Sequence, residues 1–152
     1  MEQNEPISLQ DFFKVLAHKD ILNVKSDNWK QLSVWHGEDS LQHYSFKKYQ
    51  ELRTLFSDQK NVAGIYAYFI EGRCLYIGKS KDLQERIYQH FLESCKVWGH
   101  VRYQEFFSSN CGILDLFVLP LGNKDRSGEF MRTIVERILE AHYNPKLESI
   151  KL

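Results

Sequence analysis

The sequence predicts an α+β domain: a small central three-stranded, mostly antiparallel sheet flanked by helices, with a helical extension at the N-terminus. Three observations carry that expectation. Residues 62–70 and 73–77 are two runs rich in β-branched and aromatic side chains, separated by Glu71-Gly72. An amphipathic stretch opens at Asp82, with Leu83, Ile87 and Phe91 on one face. A third apolar run, residues 113–119, ends at Pro120 and leads to a last amphipathic stretch. The order β-β-α-β-α reads as a mixed domain with its sheet packed between helices.

The elements follow in chain order. Ser8 is placed to cap a helix whose Leu9, Phe12, Phe13, Leu16 and Ala17 recur at helical spacing, and Ser45 opens another that reaches about Ser57. Residues 31–36 read as a short strand between them. We expect residues 1–60 to form an extension packed on the core and residues 61–152 to form the main domain. Asp82 followed by Glu85 is a capping-box pattern. Residues 96–112 read as irregular, with Trp98, His100, Arg102, Tyr103, Phe106 and Phe107 expected mainly to close the core or cover the sheet edge. The final helix runs from near Ser127 to about Tyr143 and stops at Asn144-Pro145.

With 152 residues, 43% of them hydrophobic, the chain can bury one core. The charge is balanced at 20 basic and 20 acidic residues. Only residues 60–100, with 6 basic and 4 acidic groups, are net positive, so attraction to a polyanion is confined to that stretch. Three cysteines without a C-x-x-C pair read as free thiols, and the first ten residues lack the pattern of a secretion signal, which together predict a cytoplasmic setting.

Chemistry concentrates in the net-positive stretch. Gly64-Ile65-Tyr66 is followed by Tyr76-Ile77-Gly78-Lys79-Ser80, then by Arg86 and His90, four apart and so on one helix face. If the two tyrosines act together they share a sheet face. Opposing them directly makes paired residue numbers sum to 142, closes the hairpin at Phe69 and Arg73, and leaves a three-residue loop with Gly72 last. Lys79 and Ser80 precede a helix N-terminus, where backbone N–H groups attract phosphate, and Gly78 lets backbone approach a ligand.

These tripeptides and the run from Tyr76 to Phe91 resemble the GIY-YIG endonuclease superfamily, in particular the nuclease domain of the UvrC repair enzymes and small stand-alone relatives. The resemblance spans about residues 62–148. It implies the GIY-YIG fold and metal-dependent hydrolysis of DNA phosphodiesters. It assigns catalysis to Tyr66, Tyr76, Arg86, His90 and Glu136, and phosphate binding to Gly78, Lys79 and Ser80. Glu136, nine residues ahead of Pro145, matches the carboxylate that holds Mg²⁺ or Mn²⁺. Either tyrosine can be the general base. Tyr66 is favoured, helped by Lys79, with Tyr76 orienting water or phosphate. At the family's usual Asn position this chain has Glu148. DNA is the implied partner and RNA the alternative, with a homodimer or a protein partner as sources of specificity. A binding module that keeps the fold without cutting is the competing class.

Overall fold

The computed structural model describes residues 20–37 and 62–147, together with Gln10, Lys14 and Ala17, which are helical. Four strands and three helices make up the described domain: β1 (Lys30–His36), β2 (Gly64–Ile70), β3 (Arg73–Ser80), α1 (Leu83–Ser94), α2 (Val101–Ser109), β4 (Gly112–Pro120) and α3 (Arg126–Tyr143). The sheet is antiparallel in the order β1-β4-β2-β3. It has four strands rather than the expected three. The addition is the short run before residue 37, which pairs along its whole length with β4, from Lys30 opposite Val118 to His36 opposite Gly112. The expected helix beginning at Ser45 and the position of Glu148 lie outside the described residues.

Each face of the sheet carries its own core. On one side Ile65, Ala67, Ile77, Phe117 and Leu119 meet Val135 and Leu139 of α3. On the other, Tyr66, Tyr68, Leu75, Tyr76 and Leu116 meet Leu83 and Ile87 of α1 and Tyr103 and Phe107 of α2. Strand β2 is therefore covered on both faces, which is why its sequence is continuously apolar instead of alternating. Ile21, Val24 and Trp29 join the α3 side. The Tyr143 hydroxyl ties that segment to the end of α3, accepting from the Val24 N–H at 3.2 Å and donating to the Leu22 carbonyl at 2.6 Å.

The hairpin register differs from the expected one. Ile70 pairs with Arg73, so the loop is the two residues Glu71 and Gly72, both at positive φ (49° and 80°). That is the left-handed pair a tight primed turn requires. A two-residue turn alone would send Tyr66 and Tyr76 to opposite faces. A bulge between Tyr68 and Phe69 on one side and around Leu75 on the other restores them to one face. Leu75 and Tyr76, adjacent in sequence, accordingly both enter the same core. Tyr66 ends up opposite Gly78, and Tyr76 opposite Tyr68.

The segment expected to be irregular contains α2, capped by His100, whose Nδ1 accepts from the Arg102 N–H at 3.1 Å. Its Tyr103 and Phe107 do close the core. Asp82 caps α1 and accepts from the Glu85 N–H at 3.2 Å. The reciprocal half of the box is absent, because the Asp82 N–H donates to Ser80 Oγ at 3.0 Å. Asp125 caps α3, and Asn144, at φ 49°, ends it in the left-handed conformation. Cys74 and Cys95 are buried free thiols, while Cys111 is exposed.

Candidate active site

Alternation along β3 decides which predicted residues meet. Tyr76 and Gly78 lie on the α1/α2 face, while Ile77 and Lys79 lie on the α3 face. The two tyrosines, Arg86 and His90 come together on the first of these. Lys79 is on the other, ion-paired with Glu129 of α3, which also accepts from Arg132 Nη2 at 3.2 Å. The pairing holds the Glu129 carboxyl below the ordinary carboxylate value. Lys79 therefore does not stand beside the tyrosines as the sequence reading had it. Glu136, buried at 4% exposure, belongs to α3 as well.

Tyr66 is 1% exposed and Tyr76 3%. Their rings stack with centroids 6.0 Å apart. The Tyr66 ring lies across Gly78: a Cβ there would stand 2.4 Å from both Cζ and the hydroxyl oxygen. The glycine so makes room for a tyrosine across the strand pair, where the sequence suggested close approach of a ligand. Gly64 has the matching role toward β4 and α1, since its Cβ would fall 2.2 Å from the Leu119 carbonyl oxygen and 2.8 Å from Leu83. Ser80 organises the turn into α1, its Oγ donating to the Asp82 carbonyl at 2.8 Å.

The Tyr66 hydroxyl is 2.7 Å from His90 Nε2, and His90 Nδ1 is 2.7 Å from Glu93 Oε1. His90 and Glu93 are 0% and 1% exposed. An ionised Glu93 can only accept, so it fixes the imidazole proton on Nδ1 and turns the Nε2 lone pair to the tyrosine. Burial drives the His90 value well below its ordinary one, aided by Arg86 and His36. The ring is thus neutral, with its Nε2 lone pair toward the Tyr66 hydroxyl. Burial also raises the Glu93 carboxyl to about 7, against the pull of Arg86 and of a backbone hydrogen bond at His100. The Tyr66 hydroxyl is raised well above the usual tyrosine range by burial, opposed by Arg86. Tyr76 is raised too, by burial and then by Tyr66 and Tyr103.

Burial works against the charge of Arg86, but Tyr66, Glu93 and Tyr76 outweigh it and the guanidinium stays charged. Its Nη1 donates to Gln89 at 2.9 Å, and it sits 5.3 Å from the centre of the Tyr103 ring. Tyr103 closes the group, its hydroxyl 3.1 Å from that of Tyr76. His36 is 1% exposed, pushed down to about 3 by burial, and packs beside Tyr68 at 5.2 Å. Sequence reasoning missed Glu93. The available signal was its spacing, since residues 86, 90 and 93 recur at i, i+4 and i+7 of one helix.

Among the described residues, no group of three or more His, Cys, Asp or Glu side chains converges as a metal cage. None of their helices is long and apolar enough to cross a membrane. The family model described as the GIY-YIG catalytic domain matches residues 62–107. No curated protein and no solved structure matches the chain.

Proposed function

Because the chain belongs to the GIY-YIG nuclease superfamily through residues 62–107, we propose that it is an endonuclease that hydrolyses DNA phosphodiesters with Tyr66 as general base. The observation that carries this reading is the continuous hydrogen-bonded chain Tyr66–His90–Glu93 beside a charged arginine. A phenol with a raised pKa holds no standing negative charge at neutral pH. It accepts a proton only as it gives its own away. Tyr66 therefore removes a proton from the attacking water while its own proton passes to His90 Nε2, and Glu93 stabilises the resulting imidazolium. The Tyr76 hydroxyl meets those of Tyr103 and Tyr66 rather than an imidazole. It orients water or phosphate instead. Arg86 stabilises charge on the five-coordinate phosphorus, for which its forked donors suit it. The products are 5′-phosphate and 3′-hydroxyl ends.

Magnesium and manganese take hard oxygen donors, commonly one or two carboxylates with water completing the shell. The donor type of Glu136 fits that demand, and Glu136 would hold the ion. When bound, such an ion supplies charge neutralisation at the scissile phosphate and its leaving oxygen. Residues 61–152 would carry the activity, with residues 1–60 as an extension that lends β1 to the sheet.

The test is supercoiled plasmid with Mg²⁺, using wild type, Tyr66→Phe and Glu136→Ala. Wild type is expected to nick the plasmid, and Tyr66→Phe to lose about 10²- to 10⁴-fold in rate. Plasmid left equally intact by all three proteins, each still binding it, refutes the enzyme. That outcome would support the second reading, a non-cutting nucleic-acid-binding module, which the near-complete burial of both tyrosines favours. Labelled single-stranded RNA in parallel separates DNA from RNA as substrate.

A further inference from the structure

The turn between α1 and α2 is an apolar knuckle built to stay in place. Lys96 stands at φ 59°, its N–H bonded to the Glu93 carbonyl at 3.0 Å, and the Val97 N–H reaches the Leu92 carbonyl at 3.3 Å. These two bonds form a Schellman closure of α1. Its left-handed residue is a lysine, where glycine is usual. Gly99, at φ 95°, follows, and Gln104 Nε2 donates to the carbonyls of both Trp98 and Gly99 at 3.0 Å. On this braced turn Val97, Trp98 and Val101 are 58%, 46% and 61% exposed. A loop with no ligand to meet rarely fixes three large apolar side chains in water.

Charge identifies the occupant. Residues 95–104 contain Lys96, His100 and Arg102 and no acidic residue, in a chain whose total charge is zero. An indole flanked by cations is suited to stack on an exposed nucleobase while the cations meet its phosphates. The turn also touches the catalytic chain. A Cβ on Gly99 would lie 2.4 Å from Glu93 Cγ, so the turn packs directly on the carboxylate that holds His90.

We propose that this knuckle is a base-stacking site: Trp98 stacks on an unpaired or splayed base of the nucleic acid, with Lys96 and Arg102 on its backbone, so that the protein selects distorted DNA. The proposal rests on the nuclease reading for its biological sense, but its test does not need cleavage. Short fluorescein-labelled duplexes, one fully paired and one with a single unpaired adenine, are titrated in EDTA with wild type, Trp98→Ala, Trp98→Phe and Arg102→Gln, following anisotropy. Wild type is expected to prefer the unpaired base. Trp98→Ala should weaken that complex by about 5- to 100-fold and erase the preference, while Trp98→Phe keeps most of it. Arg102→Gln should weaken both complexes alike and lower the salt slope by about one.

Unchanged circular dichroism is expected for Trp98→Ala, whose side chain is half exposed. Equal binding of both duplexes by wild type and Trp98→Ala overturns the proposal. So does sedimentation in which wild type is a dimer and Trp98→Ala a monomer, since the knuckle would then face a second copy. If plasmid stays uncut while the preference depends on Trp98, the nuclease reading falls and the stacking site stands. Cutting together with a dispensable Trp98 gives the reverse.

Discussion

Replacing Gly78 by alanine tests the geometry on which the candidate site depends. The new Cβ would lie 2.4 Å from the Tyr66 hydroxyl oxygen, whereas ordinary contact begins at 3.4 Å. The ring must retreat by about 1 Å. It cannot slide freely, with Tyr76 stacked at 6.0 Å, Tyr68 edge-on at 5.9 Å and His90 tilted at 5.4 Å. A displacement of that size disrupts the 2.7 Å bond to His90. Overpacking costs about 1–3 kcal/mol and the lost bond about 1 kcal/mol more, offset by about 0.5–1 kcal/mol from the stiffer unfolded chain. For a chain of this size the melting temperature should fall by about 3–10 °C. Cleavage should fall about 10²-fold, the usual cost of a misplacement of about 1 Å at a reacting group. Thermal unfolding by circular dichroism and plasmid nicking read the two effects. Gly72→Ala is the control: nothing lies within 4 Å of its Cβ, but φ is 80°, so it should lose stability without losing rate. A Gly78→Ala protein with wild-type melting and wild-type nicking refutes the placement of Tyr66 over Gly78.

The remaining predictions concern Glu93 and the hairpin turn. Glu93 must be ionised to orient His90, so the cleavage rate should rise as pH increases through about 7; Glu93→Gln should remove that limb and slow cleavage by on the order of 10²- to 10⁴-fold. Stability moves the opposite way, because a carboxyl raised from 4.5 to about 7 lends stability that is complete below 4.5 and is lost as pH rises through 7; Glu93→Gln should therefore melt higher than wild type at pH 8 while cutting more slowly. Glu71 takes a left-handed conformation that costs a glutamate about 1 kcal/mol; Glu71→Asn, suited to the first position of a two-residue primed turn, should raise the melting temperature by about 1–4 °C, and no gain would count against that turn.

The hairpin also marks how far the sequence could be read. That Tyr66 and Tyr76 share a face followed from their chemistry, and they do. The register that delivers it did not follow, because a bulge leaves no signature in composition: Leu75 is an ordinary strand residue until its neighbours fix which way it faces. Helix α1 was legible from its Asp82 cap and apolar stripe, and α3 from its stop at Asn144-Pro145, since local patterning decides them. The strand at Lys30–His36 joins the sheet only through β4, some eighty residues later, and no short-range pattern reports such a partner. Helix α2 was missed for a related reason. Its aromatic content reads as strand or core filling, and its cap is a histidine instead of Ser, Thr, Asp or Asn. Within the site, Arg86 and His90 were legible as one helix face. Glu93 on the same face was passed over because an acidic residue late in a helix normally reads as solvated surface, whereas here it is 1% exposed.

The two tripeptides divide their labour between the faces of the sheet. Ile65 and Ile77, at the centre of each, are fully buried against the α3 side and contribute packing alone. Gly64 admits the backbone of β4 and the first residue of α1, and Gly78 admits the ring of Tyr66. Only the tyrosines face the proposed chemistry. A six-residue signature thus specifies a hairpin that is apolar on one face and tyrosine-bearing on the other, held so closely that neither tyrosine can change face without a change of register. The same pairing gives the two tyrosines different neighbours. Crossing Gly78 carries the Tyr66 hydroxyl to a neutral, buried imidazole. Crossing Tyr68 carries the Tyr76 hydroxyl to that of Tyr103. On the proposed reading, the difference between base and positioning residue follows from what each tyrosine meets across the strand pair, a glycine for Tyr66 and Tyr68 for Tyr76.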